Sequence, residues 1–313
     1  MKIIYLIVIF LSFFGCKTND NLSVNLREQI SINSFPDPCL FNCDNKNKSS
    51  PWNFHADFED KSWRAKLSPN DKGMGWIPFK IIEEDGNKFL SVTVKKGWNS
   101  DKGYKNKPTE RSELQTSKRQ SFGKEVWYGF KIKKPSDTKL IYDRTLISQL
   151  KQQTRNANPM VSIKQRLPNN SIIALSVCGK AGGVGGREIG GIYESRYYTN
   201  TINLSCRNKL IEARYKMRNK DVFDKLLSTD WKTVVIGTYI TNTDKGFIKL
   251  FLNQKPIFDY EGPTYGWSSV VGSYVRIGIY RNGYRYGGHP PQTLHYDDFV
   301  IGSKDDVTKV LWK

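Results

Sequence analysis

The stretch "SYVRIGIYRNGYRYGG", residues 273–288, decides the fold class. Between Tyr274 and Tyr280 its residues alternate strictly. Tyr274, Arg276, Gly278 and Tyr280 fall on one side, and Val275, Ile277 and Ile279 on the other. A period of two marks a strand with one face in a core. The second face is unusual, because it carries an arginine and two tyrosines where a solvated face holds Thr, Ser, Lys and Glu. It runs directly into Arg281, Tyr284, Arg285 and Tyr286.

Similar short runs fill the chain from Pro51 onward: "KFLSVTV", "VWYGFKIKK", "TLISQLKQ", "SIIALSVC", "WKTVVIGTYI", "GFIKLFLNQKPIFDY" and "LHYDDFVIG". Turn residues separate them, and "LNQKP" reads as a hairpin turn. Only residues 208–228 have a weakly helical pattern, and no long repeat is present. Many strands at short spacing predict an all-β domain over residues 51–313, an antiparallel β-sandwich of jelly-roll type. Residues 16–50 are polar and lack a sustained period, which fits a flexible tether.

The 313 residues include 49 Lys+Arg and 30 Asp+Glu, a net charge of +19. Five basic and four acidic side chains lie in the first 50 residues, so +18 belongs to the remainder. Such a field attracts polyanions: nucleic acid, anionic lipid or acidic polysaccharide. The N-terminus sorts these. "MKIIYLIVIFLSFFGC" has one early lysine, an apolar run from Ile3 to Phe14, and then Gly15-Cys16. The run is too short for a mature membrane span and fits a secretory signal over residues 1–15. Its Gly-Cys ending resembles a bacterial lipoprotein signal with Cys16 as the lipidated residue, although Phe13 stands where leucine is usual. The expectation is an exported protein, held on the cell envelope only through that lipid. Export disfavours nucleic acid and leaves acidic glycan as the partner. The chain is expected to act as a monomer.

Four further cysteines remain, Cys39, Cys43, Cys178 and Cys206, and an even number in an oxidising compartment favours two disulfides. Of the three possible connectivities, Cys39–Cys43 with Cys178–Cys206 is the expected one, the second pair flanking one long segment. Zinc fits poorly, with only three histidines (His55, His289 and His295) and no second close cysteine pair. No metal or other cofactor is expected. The segment between Cys178 and Cys206 has seven glycines from Gly179 to Gly191 and reads as a mobile loop. It matches no phosphate-binding spacing. As a lid it would turn Arg187, Arg196, Tyr197 and Tyr198 toward a ligand.

Two more segments have the character of the opening strand. "TERSELQ", 109–115, places Arg111, Glu113 and Gln115 on one face, against Ser112 and Leu114. "LISQLKQ", 146–152, places Gln149 and Lys151 opposite Leu146, Ser148 and Leu150. If the three strands are neighbours, their polar faces make a floor suited to a carboxylated sugar chain.

These residues carry a resemblance. "RSEL", the Gln149-x-Lys151 segment and "Y-x-R-x-G-x-Y" resemble three motifs of the concanavalin A-like jelly-roll polysaccharide lyases. That group includes alginate lyases, glucuronan lyases and the heparin lyase I type. "VWYGFKI" and "YDDFVIG" extend the similarity over roughly residues 52–302. The resemblance implies a concave cleft in which Arg111, Glu113, Gln149, Arg276 and Tyr280 meet the substrate. Two departures are clear: Lys151 stands where these lyases commonly have histidine, and Arg276 where they have lysine. The latter keeps the charge and adds a two-bond grip on carboxylates. His55 or His289 are alternative sources of the missing imidazole.

The chemistry explains the residue types. β-Elimination at a 1,4-linked uronate removes the proton at C5 and expels the oxygen at C4. The adjacent carboxylate must be neutralised as charge develops, and both a base and an acid are needed. Tyr280 is the expected acid and also the leading base, with Gln149 and Arg111 neutralising the carboxylate. Lys151 is an electrostatic helper or the alternative base. Arg276, Glu113, Tyr274, Arg281, Tyr284, His289 and Arg187 are expected to bind substrate. A strand advances about 13 Å over four residues, so Arg276 and Tyr280 would contact different parts of the chain. The rival reading is a lectin-like module that stacks sugars on Trp98, Trp267 and Tyr284 without catalysis. It has no need of the Arg111, Gln149 and Tyr280 set. A glycoside hydrolase of the sandwich class needs paired carboxylates, and no E-x-D-x-x-E pattern is present.

Overall fold

The computed structural model describes residues 53–69, 75–98, 109–117, 123–139, 144–152, 158–167, 170–177, 186–189, 198–206, 209–241, 243–264, 272–282 and 290–313. All lie in the unit Pro38–Lys313. The strands in chain order begin with β1 (Phe54–Ala56), β2 (Leu67–Pro69), β3 (Phe79–Glu84), β4 (Asn87–Val94), β5 (Thr109–Thr116) and β6 (Glu125–Lys133). There follow β7 (Thr145–Gln152), β8 (Val161–Leu167), β9 (Asn170–Ser176), β10 (Gly186–Ile189), β11 (Tyr198–Cys206) and β12 (Lys209–Met217). The last five are β13 (Lys232–Tyr239), β14 (Phe247–Leu252), β15 (Lys255–Glu261), β16 (Ser273–Asn282) and β17 (Gln292–Gly302).

Among the described residues they form two antiparallel sheets. One has ten strands in the order β11-β12-β15-β14-β13-β6-β17-β4-β3, with β1 beside β17; the other has seven, β10-β9-β8-β7-β16-β5-β2. The apolar sides of the two sheets face each other, as the alternation requires. Leu114, Ile147, Leu150, Val275, Ile277 and Ile279 come from the smaller sheet, and Tyr128, Phe130, Ile236, Leu294, Tyr296 and Phe299 from the larger. Each fully buried aliphatic or aromatic side chain of this kind stabilises the fold by about 1.5–3 kcal/mol. This is the expected jelly-roll sandwich.

Three local expectations are corrected. Within the stretch expected to be helical, Lys209–Met217 is strand β12 and helix is confined to α1 (Lys220–Asp224). Ala213, Tyr215 and Met217 face the core while Glu212, Arg214 and Lys216 are exposed, a period of two. The segment after Cys178 contains β10 and β11 rather than loop alone; Ile202 and Leu204 share parity and pack against the core. A helix that the strand-dominated reading missed, α2 (Lys304–Leu311), closes the chain. Ser303 and Asp306 form a reciprocal capping box at its start. Val307 and Leu311 pack on Trp127, Val235 and Val300, on the outer face of the ten-stranded sheet. The expected hairpin turn is present, with Asn253 and Gln254 both at positive φ between β14 and β15.

Candidate active site

The sheet order places β16 between β7 and β5, so the three polar segments are neighbours. Register then decides which side chains meet. Across β5, Tyr280 pairs with Arg111, Gly278 with Glu113 and Arg276 with Gln115. Across β7, Arg276 pairs with Gln149 and Tyr274 with Lys151. With Leu114, Val275 and Ile277 committed to the core, these polar residues share the outer face of the seven-stranded sheet.

Glu113 is the centre of the group. Its Oε1 accepts a hydrogen bond from the Gln149 side-chain amide. Its Oε2 lies 3.2 Å from Arg111 Nε and 3.6 Å from Arg276 Nη1. Arg276 also donates through Nη2 to the Tyr274 hydroxyl at 3.0 Å and to Gln115 Oε1 at 3.4 Å. Arg111, Glu113, Gln149 and Arg276 are all buried. A buried carboxylate needs both charge and hydrogen-bond partners, and Glu113 has two guanidiniums and an amide. Two arginines against one glutamate leave this cluster at +1, enough to receive one further carboxylate.

Tyr280 is half-buried beside this group. The Arg111 guanidinium lies 3.9 Å from its ring centroid and the Arg144 guanidinium 5.6 Å, both within cation–π range. Lys151 is half-buried at the β7 position opposite Tyr274.

Backbone irregularities shape the site. β7 shifts register against β8 between Leu146 and Ser148, and β16 shifts against β7 between Ile277 and Tyr280. Ile147 rather than Leu146 therefore joins the core, which corrects the simple alternation. Gly278 has φ +130°, and a Cβ there would lie 2.3 Å from the Ser112 carbonyl oxygen. Only glycine allows β16 to approach β5 this closely beside Glu113. From the other sheet, the Tyr296 hydroxyl reaches the Gly278 carbonyl at 2.9 Å and the Ile147 carbonyl at 3.0 Å. Burial pushes the Tyr296 phenol well above its ordinary value.

One expected substrate ligand is corrected. Arg281 is 1% exposed and points into the protein. Its Nε and Nη2 each lie 2.6 Å from Glu110 Oε2, and its Nη1 donates to the Pro290 carbonyl. Parity explains this: Arg281 follows Val275, Ile277 and Ile279 on the core side. Burial lowers its pKa, and Glu110 opposes that. His55 is corrected as an imidazole source for this face, because it sits on β1 in the other sheet, 2.7 Å from Asp298. Arg187 is on the edge strand β10, separated from β7 by β9 and β8. Tyr284, His289, Cys16, Cys39, Cys43 and Cys178, with Arg196, Tyr197 and Trp267, lie outside the described residues, as does the Cys206 side chain.

Two participants were not singled out from sequence. Arg144 immediately precedes β7, and only its neighbourhood to a polar-faced strand could have marked it. Gln115 was visible on the Arg111 face, but its bond to Arg276 follows from register alone. Among the described residues no group of three or more His, Cys, Asp or Glu is placed to hold a metal ion.

The two antiparallel sheets make a jelly-roll sandwich whose seven-stranded sheet carries a cationic, amide- and tyrosine-bearing outer face. Residues 79–300 match the family model described as polysaccharide lyase, and the chain belongs to that family. No curated relative matches the sequence. Among solved structures, the endo-β-1,4-glucuronan lyase from the fungus Trichoderma reesei is similar in fold. It is 13% identical with a TM-score of 0.50, over 77% of this chain and 96% of that one. The alginate lyase vAL-1 from Chlorella virus aligns at 10% identity and a TM-score of 0.44, over 75% of this chain and 90% of that one. The protein is a polysaccharide lyase of jelly-roll fold.

Proposed function

We propose that the enzyme cleaves an acidic, uronate-containing polysaccharide by β-elimination on the outer face of β5, β16 and β7. The observation that carries this reading is the convergence of Arg111, Gln149 and Arg276 on Glu113, with Tyr280 against Arg111. A uronate carboxylate entering this cluster meets a net positive group whose donors are already oriented. It is neutralised without reorganisation, which is the condition for acidifying C5–H. The Tyr280 phenolate oxygen takes the C5 proton, the electron pair forms the C4–C5 double bond, and the C4–oxygen bond breaks. The same phenol then returns its proton to the leaving oxygen. The Arg111 and Arg144 guanidiniums over the Tyr280 ring offset negative charge there as the proton moves. Glu113 is a positioning residue in this scheme, and Lys151 adds positive charge along the chain path. The N-terminal signal and Cys16 lipidation would put this activity on the cell envelope, where acidic glycans are met.

Incubating purified protein with a panel of polyuronates and following ultraviolet absorbance of the unsaturated product tests the reading. Wild type should generate product on at least one polymer, and Tyr280→Phe should lose the activity by at least about a hundredfold while still binding. No product on any polyuronate, with binding retained, would sink the catalytic assignment in favour of a glycan-binding role.

A further inference from the structure

On the opposite side of the sandwich, the outer face of the ten-stranded sheet holds a cavity of about 370 Å³. That falls at the small end of the roughly 300–1,000 Å³ range of small-molecule sites. Its charged walls are mixed: Glu84, Asp85 and Asp297 against Lys131 and Lys133. Lys133 Nζ is 2.7 Å from Glu84 and stands 4.7 Å and 4.8 Å from the Phe89 and Trp231 ring centroids. Lys131 is paired with Asp298 at 2.6 Å. Unlike the cationic active-site face, this cavity offers no net attraction to a polyanion, and Lys133, paired with Glu84 and set over both rings, already supplies a cation to its carboxylates.

Two groups here retain capacity for a ligand. Trp231 is half-buried, and its indole N–H makes no hydrogen bond to a described residue. The Asp297 carboxylate is buried, yet among the described residues it accepts only the Asn87 amide at 3.3 Å and the Asp298 backbone N–H at 2.8 Å. A carboxylate has about four acceptor positions. Around it are Asp298, its neighbour on β17, Lys131 and Lys133 from β6, and Glu84, Asp85 and Asn87 from the β3–β4 hairpin. Burial, with repulsion from Asp298, raises its pKa to about 6, so a donor ligand would relieve a desolvated charge.

We propose that this cavity is a non-catalytic binding site for an uncharged sugar residue, and that it holds neutral stretches of a glycan on the face away from the active site. A neutral pyranose donates hydroxyls to the Asp297 carboxylate and accepts from Lys133 and the Trp231 N–H. The inference takes from the family assignment only that the partner is a carbohydrate, and is independent of the elimination chemistry.

Affinity electrophoresis through gels containing β-glucan, galactomannan or xylan, in turn, tests it. Wild type should be retarded by at least one of these, and Trp231→Ala and Asp297→Asn should weaken the retardation by at least about tenfold. Asp297→Asn is nearly isosteric, so it keeps the test open if Trp231→Ala misfolds. Retardation should fade as pH drops through about 6, where Asp297 takes up a proton. Tyr280→Phe should be retarded like wild type, and Trp231→Ala should cleave short soluble oligouronates at the wild-type rate. Absence of retardation on all three glycans, or unchanged retardation of both cavity variants, overturns the proposal. Neither outcome bears on the elimination assay.

Discussion

The Arg111 guanidinium lies 3.9 Å from the centroid of the Tyr280 ring while its Nε is 3.2 Å from Glu113. One side chain thus links the tyrosine to the carboxylate that gathers Gln149 and Arg276. Lysine could keep the charge but not both contacts, since its ammonium lacks the planar fork. Arg111→Lys is expected to lower kcat on a polyuronate by about 10²–10³-fold, with a smaller change in KM. Steady-state kinetics check this; an effect confined to KM would make Arg111 a binding residue only.

At Gly278 an added methyl would meet the Ser112 carbonyl oxygen at 2.3 Å and Glu113 Cα at 2.8 Å. Neither is a flexible side-chain end, so the strands must part. Gly278→Ala should destabilise the fold by about 1–3 kcal/mol from strained φ alone, with further loss from the clash. The folded fraction should show reduced elimination, because Glu113 moves with β5. Urea unfolding and activity on the same samples measure both effects.

Arg281 is a structural arginine, unlike Arg111 and Arg276, for which a role toward substrate is proposed. Its partner Glu110 also accepts the Gly97 backbone N–H at 2.9 Å, so removing the guanidinium strands a buried carboxylate. Arg281→Met should cost about 3–5 kcal/mol, and the double variant with Glu110→Gln should recover much of it. Thermal melts of the two variants decide this. Recovery absent in the double variant would mean that the Pro290 contact dominates.

Asp297 and His295 are linked in opposite senses. Asp297 is raised from 3.8 to about 6 by burial and then Asp298. His295 is lowered from 6.5 to about 4 by burial and then Lys133. Between about pH 4 and 6 the folded chain keeps the Asp297 proton that the unfolded chain has lost, so this group lowers stability as pH rises. The unfolded chain protonates His295 where the folded chain does not, so that group raises stability over about pH 4 to 6.5. Each amounts to about 3 kcal/mol, and the two slopes largely cancel. Asp297→Asn removes only the first. Its stability relative to wild type should therefore climb by about 3 kcal/mol from pH 4 to 6.5, read as the difference in urea unfolding. A pH-independent difference would rule out this account.

The alternation of Tyr274 to Tyr280 and the parity of Arg111 with Glu113 and Gln115 were legible because period two needs no tertiary knowledge. Adjacency of the three strands was a condition rather than a reading, since register depends on the sheet. The alternation that groups Leu146 with Leu150 fails at Ile147 because a bulge reverses parity without a local signal. Arg281 was misread because charge masked its core-side parity, and its partner Glu110 belongs to another strand. The weakly helical pattern of residues 208–228 overlies a period of two at Ala213, Tyr215 and Met217, and the strand period prevails in β12. α2 carried a sequence signature in Ser303 and Asp306, which the abundance of strands obscured.

The Tyr296 hydroxyl, bound to the backbone of both β7 and β16 from the facing sheet, has a mechanical consequence. Sliding one layer of the sandwich over the other must first break this peg at the bulge. The spacing between Gln149 and Arg276 is therefore tied to the alignment of the two layers. Load on the outer face of β5, β16 and β7 would be resisted through the core, so that face behaves as a fixed anvil rather than a yielding mat.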